Sequence, residues 1–309
     1  MKWRSRVSII NEKILKDLDK YLKANADENV SDEATENLIN EFMMSYNNRI
    51  GSPVTDEPET SDDYLELAYE ARNKKEALKF AKKALALEPY NFDADALVIE
   101  LKAKNETELV IGYAKAVQKA TEYMKKEGYF EEEYIGDFWG VLETRPYMRL
   151  RGRFTEILIQ CGKMGQACEE CRELLRLCKN DNLGIRYQLM HIYAYFENEE
   201  AAIALYKHFK SHSETQMLLP LSILYYKKGK YVKAWQYLRK LNSVNKDLKQ
   251  FMQIFSKGMF EEFDDVELME GYRPDTMEEF IMEFRENLFL FCTMTAYAEW
   301  ALQKIKKLD

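Results

Sequence analysis

The chain has 309 residues, 46% of them hydrophobic, and a formal charge of −8. That length holds one large domain or two ordinary ones with a sizeable core, and the acidic balance argues against nucleic acid as a general partner. Only 12 glycines and 6 prolines interrupt long runs of Lys, Glu, Leu and Ala, which points to an all-α chain.

Met1 to Lys23 is basic and broken by charges, so it reads as neither an export signal nor a membrane span. No later window approaches eighteen uncharged apolar residues, and no lipidation motif is evident. Five cysteines, an odd number, without an export signal point to reduced thiols and a cytoplasmic location.

Residues 8–24 predict a helix, with Ile10, Ile14, Leu15, Leu18, Tyr21 and Leu22 at helical spacing. A second helix follows at about 32–46, with Ser31 as N-cap and Leu38, Phe42 and Met43 on its apolar face. Residues 1–50 thus form a helical pair, a candidate cap for a repeat stack. Residues 51–62, with Gly51, Pro53 and Pro58 among acids, read as a linker or loop. Residues 63–309 read as one helical-repeat domain.

Within it, Ala77, Ala81 and Ala84 place small residues on one helix face, and Pro89 follows five residues later. Small residues let helices approach closely and proline ends the second helix. This resembles the second half of a tetratricopeptide repeat. The first half, Tyr64 to Ala71, is shorter than the consensus and lacks its tryptophan and glycine. A further pair is predicted at about 92–103 and 106–127. Glu127 to Glu143 then carries six acids and no base among Tyr129, Phe130, Tyr134, Phe138 and Trp139. It reads as an irregular connection pinned by its aromatics, with Pro146 in the first turn of the next helix.

The repeat is plainest from 147 to 242, as hairpins at about 147–178, 183–212 and 215–242. Ala167, Ala201 and Ala234 recur at the tetratricopeptide period. Gly162, Asn198 and Gly229 suit the tight turns, and Pro220 should kink its helix or shift its start. Phe251, Ile254 and Phe255 predict another short helix. Thr276 to Lys307 reads as a long aromatic helical cap.

The central stretch combines Gly136-Asp137-Phe138-Trp139-Gly140, Glu143-Thr144-Arg145-Pro146-Tyr147-Met148-Arg149, a hairpin, Asn180-Asp181-Asn182 and Gly184-Ile185-Arg186-Tyr187. That combination resembles a bacterial tetratricopeptide-repeat family similar to the eukaryotic suppressor-of-tumorigenicity-seven proteins. The likeness is sharp over about 136–206, weaker over 62–135 and 207–302, and does not extend to 1–50. It implies hairpins stacked into a right-handed superhelix, an α-solenoid with helical caps. It also implies a protein-interaction role, with no enzyme activity and no cofactor. The consensus proline is missing from the three clearest hairpins.

In tetratricopeptide proteins the first helix of each hairpin lines the concave groove and grips peptide carboxylates. Alignment by Ala167 puts Arg149 and Arg153 at the second and sixth positions of such a helix. Alignment by Ala201 puts Asn182 first, Arg186 fifth and Tyr187 sixth. Arginine suits that task because its planar fork holds a carboxylate through two hydrogen bonds. The alternative is that these arginines pair internally, with Asp137, Glu143 or the Glu131–Glu133 run. The expected function is a non-enzymatic scaffold for a protein or peptide with an acidic segment or free carboxylate. A peptide-sensing regulator whose superhelix changes shape is the alternative.

The remaining candidates read as structural. Cys168, Cys171 and Cys178 share a helix face with Leu175, and with Cys161 they cannot converge tetrahedrally on a metal. His208 and His212 lack the glutamate that marks a zinc-protease helix, and His191 stands alone. Residues 223–257 carry nine Lys or Arg against Asp247, and residues 258–286 carry eleven acids against Arg273 and Arg285. The acidic end is expected to pack near the basic repeats, or the basic face to serve an acidic partner.

Overall fold

A computed structural model describes residues 2–25, 31–49, 58–210, 213–259, 261–264, 273–292 and 294–307, with the backbone alone at 2–11, 49, 262 and 264. The chain is all-α: consecutive helices pack in pairs, and the described residues contain no strand. It divides into two compact units, residues 1–130 with 139–150, and residues 131–138 with 151–309.

The first unit holds α1 (Lys2–Asn25), α2 (Asp32–Arg49), α3 (Ser61–Glu70), α4 (Lys74–Leu87), α5 (Phe92–Lys102), α6 (Glu106–Lys126) and the start of α7 (Arg145–Gln160). Polar caps set its boundaries. Thr60 and Asp63 form a reciprocal capping box on α3, and Asn73, Asn91 and Asn105 accept backbone N–H groups at the starts of α4, α5 and α6. Ser31 caps α2 as its sequence predicts, accepting from the Ala34 amide at 3.3 Å. Asn91 also ties three helices together: its amide donates to Ser61 at 2.9 Å, and the Ser61 hydroxyl donates to the Ala84 carbonyl at 3.0 Å. The small residues do what their spacing implies. Ala84 packs with Leu65 and Ala94, and Ala81 with Ala68 and Val98, so α3, α4 and α5 meet closely.

Charged groups tether α1 to α3. Lys13 lies 2.7 Å from Asp63 and 3.1 Å from Glu66, and Lys16 lies 3.0 Å from Asp62. Burial would raise the Asp63 pKa, but the Lys13 ammonium and the Thr60 amide and hydroxyl outweigh it and hold the carboxyl at about 2. Leu15, expected on the apolar face, is exposed. The side chain of Ile10 and most of the linker, residues 50–57, lie outside the described residues.

The second unit holds the rest of α7, then α8 (Met164–Leu177), α9 (Ile185–Tyr195), α10 (Glu199–His208), α11 (Thr215–Lys227), α12 (Tyr231–Val244), α13 (Leu248–Ser256), α14 (Glu261–Asp264), α15 (Met277–Glu286), α16 (Leu288–Phe291) and α17 (Thr295–Ile305). The three hairpins thus fall where periodicity places them. Gly162 and Gly229 turn them at φ 69° and 68°, a conformation that costs glycine little. In the middle hairpin the left-handed residue is Glu197, and Asn198 instead caps α10 by accepting from the Ala201 amide at 3.1 Å. Burial also corrects the repeat register. Ala167 and Ala234 are fully buried, and the residue with the same offset from its helix start is Ala202, not the partly exposed Ala201. α11 continues through Pro220.

The helical C-terminal stretch from Thr276 is three helices, with breaks at Asn287 and before Thr295. Only α17 packs where a cap would, on α12 and α13. α15 lies on α11 and α13, and α16 on α9. The lysines of the basic hairpin meet acids of the preceding one: Lys227 lies 3.7 Å from Glu197, and Lys228, Lys230 and Lys233 converge on Glu199.

Candidate functional site

The motif at the centre of the sequence builds the connection between hairpins. The Gly136 and Phe138 amides both donate to the Leu177 carbonyl, at 3.1 and 3.0 Å, and the Lys179 amide donates back to Gly136 at 2.8 Å. Gly136 has φ 106°, a backbone conformation that strains any residue with a side chain. In the first unit, the Arg145 guanidinium donates to the Trp139 carbonyl at 2.7 Å and lies over its ring.

In that unit a pocket of about 160 Å³ opens beside α1, α5, α6 and the start of α7. Its walls carry four aromatic rings, Tyr90, Phe92, Tyr123 and Tyr129. Tyr90 and Tyr123 stack with centroids 4.0 Å apart, and Phe92 meets Tyr123 edge-on at 6.0 Å. The same walls carry five carboxylates, Glu12, Asp62, Glu88, Asp93 and Glu143, against two cations, Lys16 and Arg149.

Both cations are committed. Arg149 is buried and forks onto Asp93 through Nε at 2.9 Å and Nη2 at 2.6 Å, while Nη1 donates to Glu12 at 2.6 Å. Lys16 holds Asp62 at 3.0 Å. Glu88 and Glu143 stand exposed at the rim, without a cation within 4 Å among the described residues. Burial, then Glu127 and Glu88, push the Tyr123 phenol up. The partners of Arg149 are thus Glu12 and Asp93 rather than the expected Asp137, Glu143 or Glu131–Glu133 run.

In the second unit Arg186 and Tyr187 do come together. The Arg186 guanidinium lies 4.1 Å from the Tyr187 ring centroid and 5.5 Å from that of Phe209. It also donates to the Tyr187 hydroxyl, to Asp181 at 2.9 Å and to Glu214 at 3.3 Å. Asp181 is buried and accepts from the Ile185 and Arg186 amides at 2.6 and 3.1 Å, so it caps α9 as well. Asn182 is exposed in the preceding loop and accepts from the Cys178 thiol at 3.3 Å. Arg153 pairs with Glu156 one helical turn on, at 2.7 Å. The arginines therefore have internal partners, and the carboxylates are Glu12, Asp93, Asp181, Glu214 and Glu156.

His191 of α9 is sealed beneath α15 and α16. Its Nδ1 lies 2.7 Å from the Tyr187 carbonyl and its Nε2 2.9 Å from Glu283. A carbonyl only accepts, so Nδ1 carries the hydrogen. Burial pulls the imidazole pKa down to about 4, and burial with Glu279 and Glu286 pushes the Glu283 carboxyl well up. Burial thus disfavours the charged form of both partners of this hydrogen bond. Tyr297 donates to Ser222 at 2.9 Å, a second buried tie from the C-terminal helices.

Cys168, Cys171 and Cys178 are buried free thiols, and burial raises the first two. No group of three or more His, Cys, Asp or Glu among the described residues is placed to hold a metal ion. His208 is exposed beside Phe209, and its predicted companion His212 lies outside the described residues. No helix among the described residues is long and apolar enough to cross a membrane.

No protein-family model matches the chain. No curated protein matches it either.

Proposed function

We propose that this chain is a cytoplasmic, non-enzymatic scaffold that holds a protein or peptide in the aromatic pocket of its first unit. We further propose that its hairpins stack as a right-handed tetratricopeptide-like superhelix, as in the bacterial family its central motif resembles. The repeat assignment draws on the packing of α8 with α9, α9 with α10 and α11, and α11 with α12, and on the buried alanines at matching offsets. One observation carries the binding site. The first unit's pocket brings four aromatic rings and five carboxylates to one space, whereas in the second unit α15 packs on α11 and α16 on α9, first helices on which a repeat protein takes its partner.

The test is affinity capture from native cytosol with the wild type beside Tyr90→Ala, whose ring is exposed at the pocket. A partner retained by wild type and reduced at least tenfold on an equally stable variant supports the assignment. Undiminished capture removes the pocket from consideration.

The peptide-sensing alternative draws on the same covered face, because a peptide that displaced α15 would change how α9 and α11 pack. It requires α15 amides to exchange faster when the partner is present. Unchanged α15 exchange leaves the plain scaffold.

A further inference from the structure

We infer that the pocket of the first unit takes a cationic side chain, the ammonium or guanidinium of a basic peptide segment. This rests on the scaffold function above and reverses the charge of partner that the arginine pattern of the sequence implies.

Three features of the pocket lead there. The first is that its positive groups are spent. Arg149 directs Nε and Nη2 at Asp93 and Nη1 at Glu12, and Lys16 is held by Asp62. An incoming carboxylate or phosphate would meet five carboxylates and compete for cations already bound at 2.6 to 3.0 Å. The second is the charge left over. Glu88 and Glu143 sit at the mouth among solvent, with no cation within 4 Å among the described residues. Opposite charge across a concave, partly apolar site both attracts a guest and orients it.

The third is aromatic. An ammonium or guanidinium is drawn to the face of a ring by its quadrupole, and the unit already uses that chemistry on its own cations. Lys119 occupies Tyr90 in this way, its ammonium 5.3 Å from the ring centroid, 3.0 Å from the Pro89 carbonyl and 3.6 Å from Asp95, so a guest would use the other rings. Lys83 lies 4.8 Å over Tyr64, and Lys125 5.7 Å over Phe130. Tyr123 and Tyr129 supply further rings inside the pocket, with Glu88 and Glu143 beside them. The space of about 160 Å³ suits a side-chain head group rather than a folded chain. The peptide backbone then stays at the rim, where the exposed Tyr90 lies.

Met124 is buried in the pocket wall and reports occupancy directly. The full chain, labelled with ¹³C at its methionine methyls, is titrated with four probes: N-acetyl-lysine amide, N-acetyl-arginine amide, N-acetyl-norleucine amide and N-acetyl-glutamate amide. Met124→Leu assigns the resonance. The lysine and arginine probes are expected to shift the Met124 methyl saturably, with norleucine and glutamate at least tenfold weaker. Glu88→Gln with Glu143→Gln, both at exposed positions, is expected to weaken the cationic probes by roughly fivefold or more and to reduce their salt dependence. Norleucine binding as well as lysine would overturn the inference, because the pocket would then be reading apolar bulk. Preferential binding of the glutamate probe would overturn it too while leaving the scaffold function intact. So would a Met124 methyl that none of the probes moves. Loss of captured partners on Tyr90→Ala, combined with failure of the cationic probes, separates a correct site from a wrong ligand.

Discussion

Arg149→Ala tests the physical core of the first unit. The Arg149, Glu12 and Asp93 side chains are 7%, 4% and 13% exposed. Truncating the arginine takes the fork from Asp93 and leaves Glu12 with the more distant Arg145, 4.0 Å away. Removing one member of such a buried set costs about 3–5 kcal/mol, most of it the penalty of the charges left behind. Arg149→Lys keeps the charge but loses the fork, so an intermediate loss is expected. The triple variant Arg149→Met, Glu12→Gln, Asp93→Asn removes all three of these charges and leaves the more exposed Arg145, and its stability should return to within about 2 kcal/mol of wild type. Urea unfolding followed by circular dichroism measures the total, and native-state hydrogen exchange of α1 and α5 shows whether the loss is local. A single-variant loss below about 1 kcal/mol, or a triple variant no better than Arg149→Ala, would refute buried charge as the reason this network matters.

Two further outcomes follow from the second unit. The folded-state pKa of His191, about 4, lies below the 6.5 of a free imidazole, so the unfolded chain takes up the proton first. Its contribution is complete above about pH 6.5 and is lost as pH falls toward 4. Glu283, whose carboxyl is pushed up, acts oppositely: its contribution is complete below 4.5 and is lost as pH rises through its folded value. His191→Gln should therefore flatten the melting temperature between pH 6.5 and 4, and an unchanged acid limb would count against a neutral buried His191. Arg186→Ala leaves Asp181 with two backbone amides but no counter-ion, at a cost of about 1–3 kcal/mol in thermal unfolding. A variant within about 0.5 kcal/mol of wild type would return Arg186 to the candidates for partner binding.

Most of the helical plan is legible in the sequence because it rests on local rules. Three- and four-residue apolar spacing, asparagine caps and left-handed glycines act within one or two turns, and α3 through α13 lie close to where they place them. The misses are also physical. Glu197 adopts φ 58° without being glycine, so nothing in its identity marks the turn. A shift of one residue between Ala201 and Ala202 leaves period and composition almost unaltered, and only burial distinguishes them. The break at Asn287 carries no glycine or proline to announce it.

The sequence by itself determines that the chain is helical, where its hairpins turn and which small residues let helices approach, since each of these is set by neighbours a few positions away. Only tertiary structure decides which charges meet. Glu12 reaches Arg149 across 137 positions and His191 reaches Glu283 across 92, distances at which any acid on any amphipathic helix is an equal candidate. The same holds for the pocket. Tyr90, Glu88, Tyr123 and Glu143 come from the connection after α4, from α6 and from the turn before α7, and chain folding alone puts their rings and charges around one space. The sign of that site is likewise a tertiary result: the arginine that promises an anion site in the sequence is neutralised by partners that packing brings to it, leaving carboxylates at the rim.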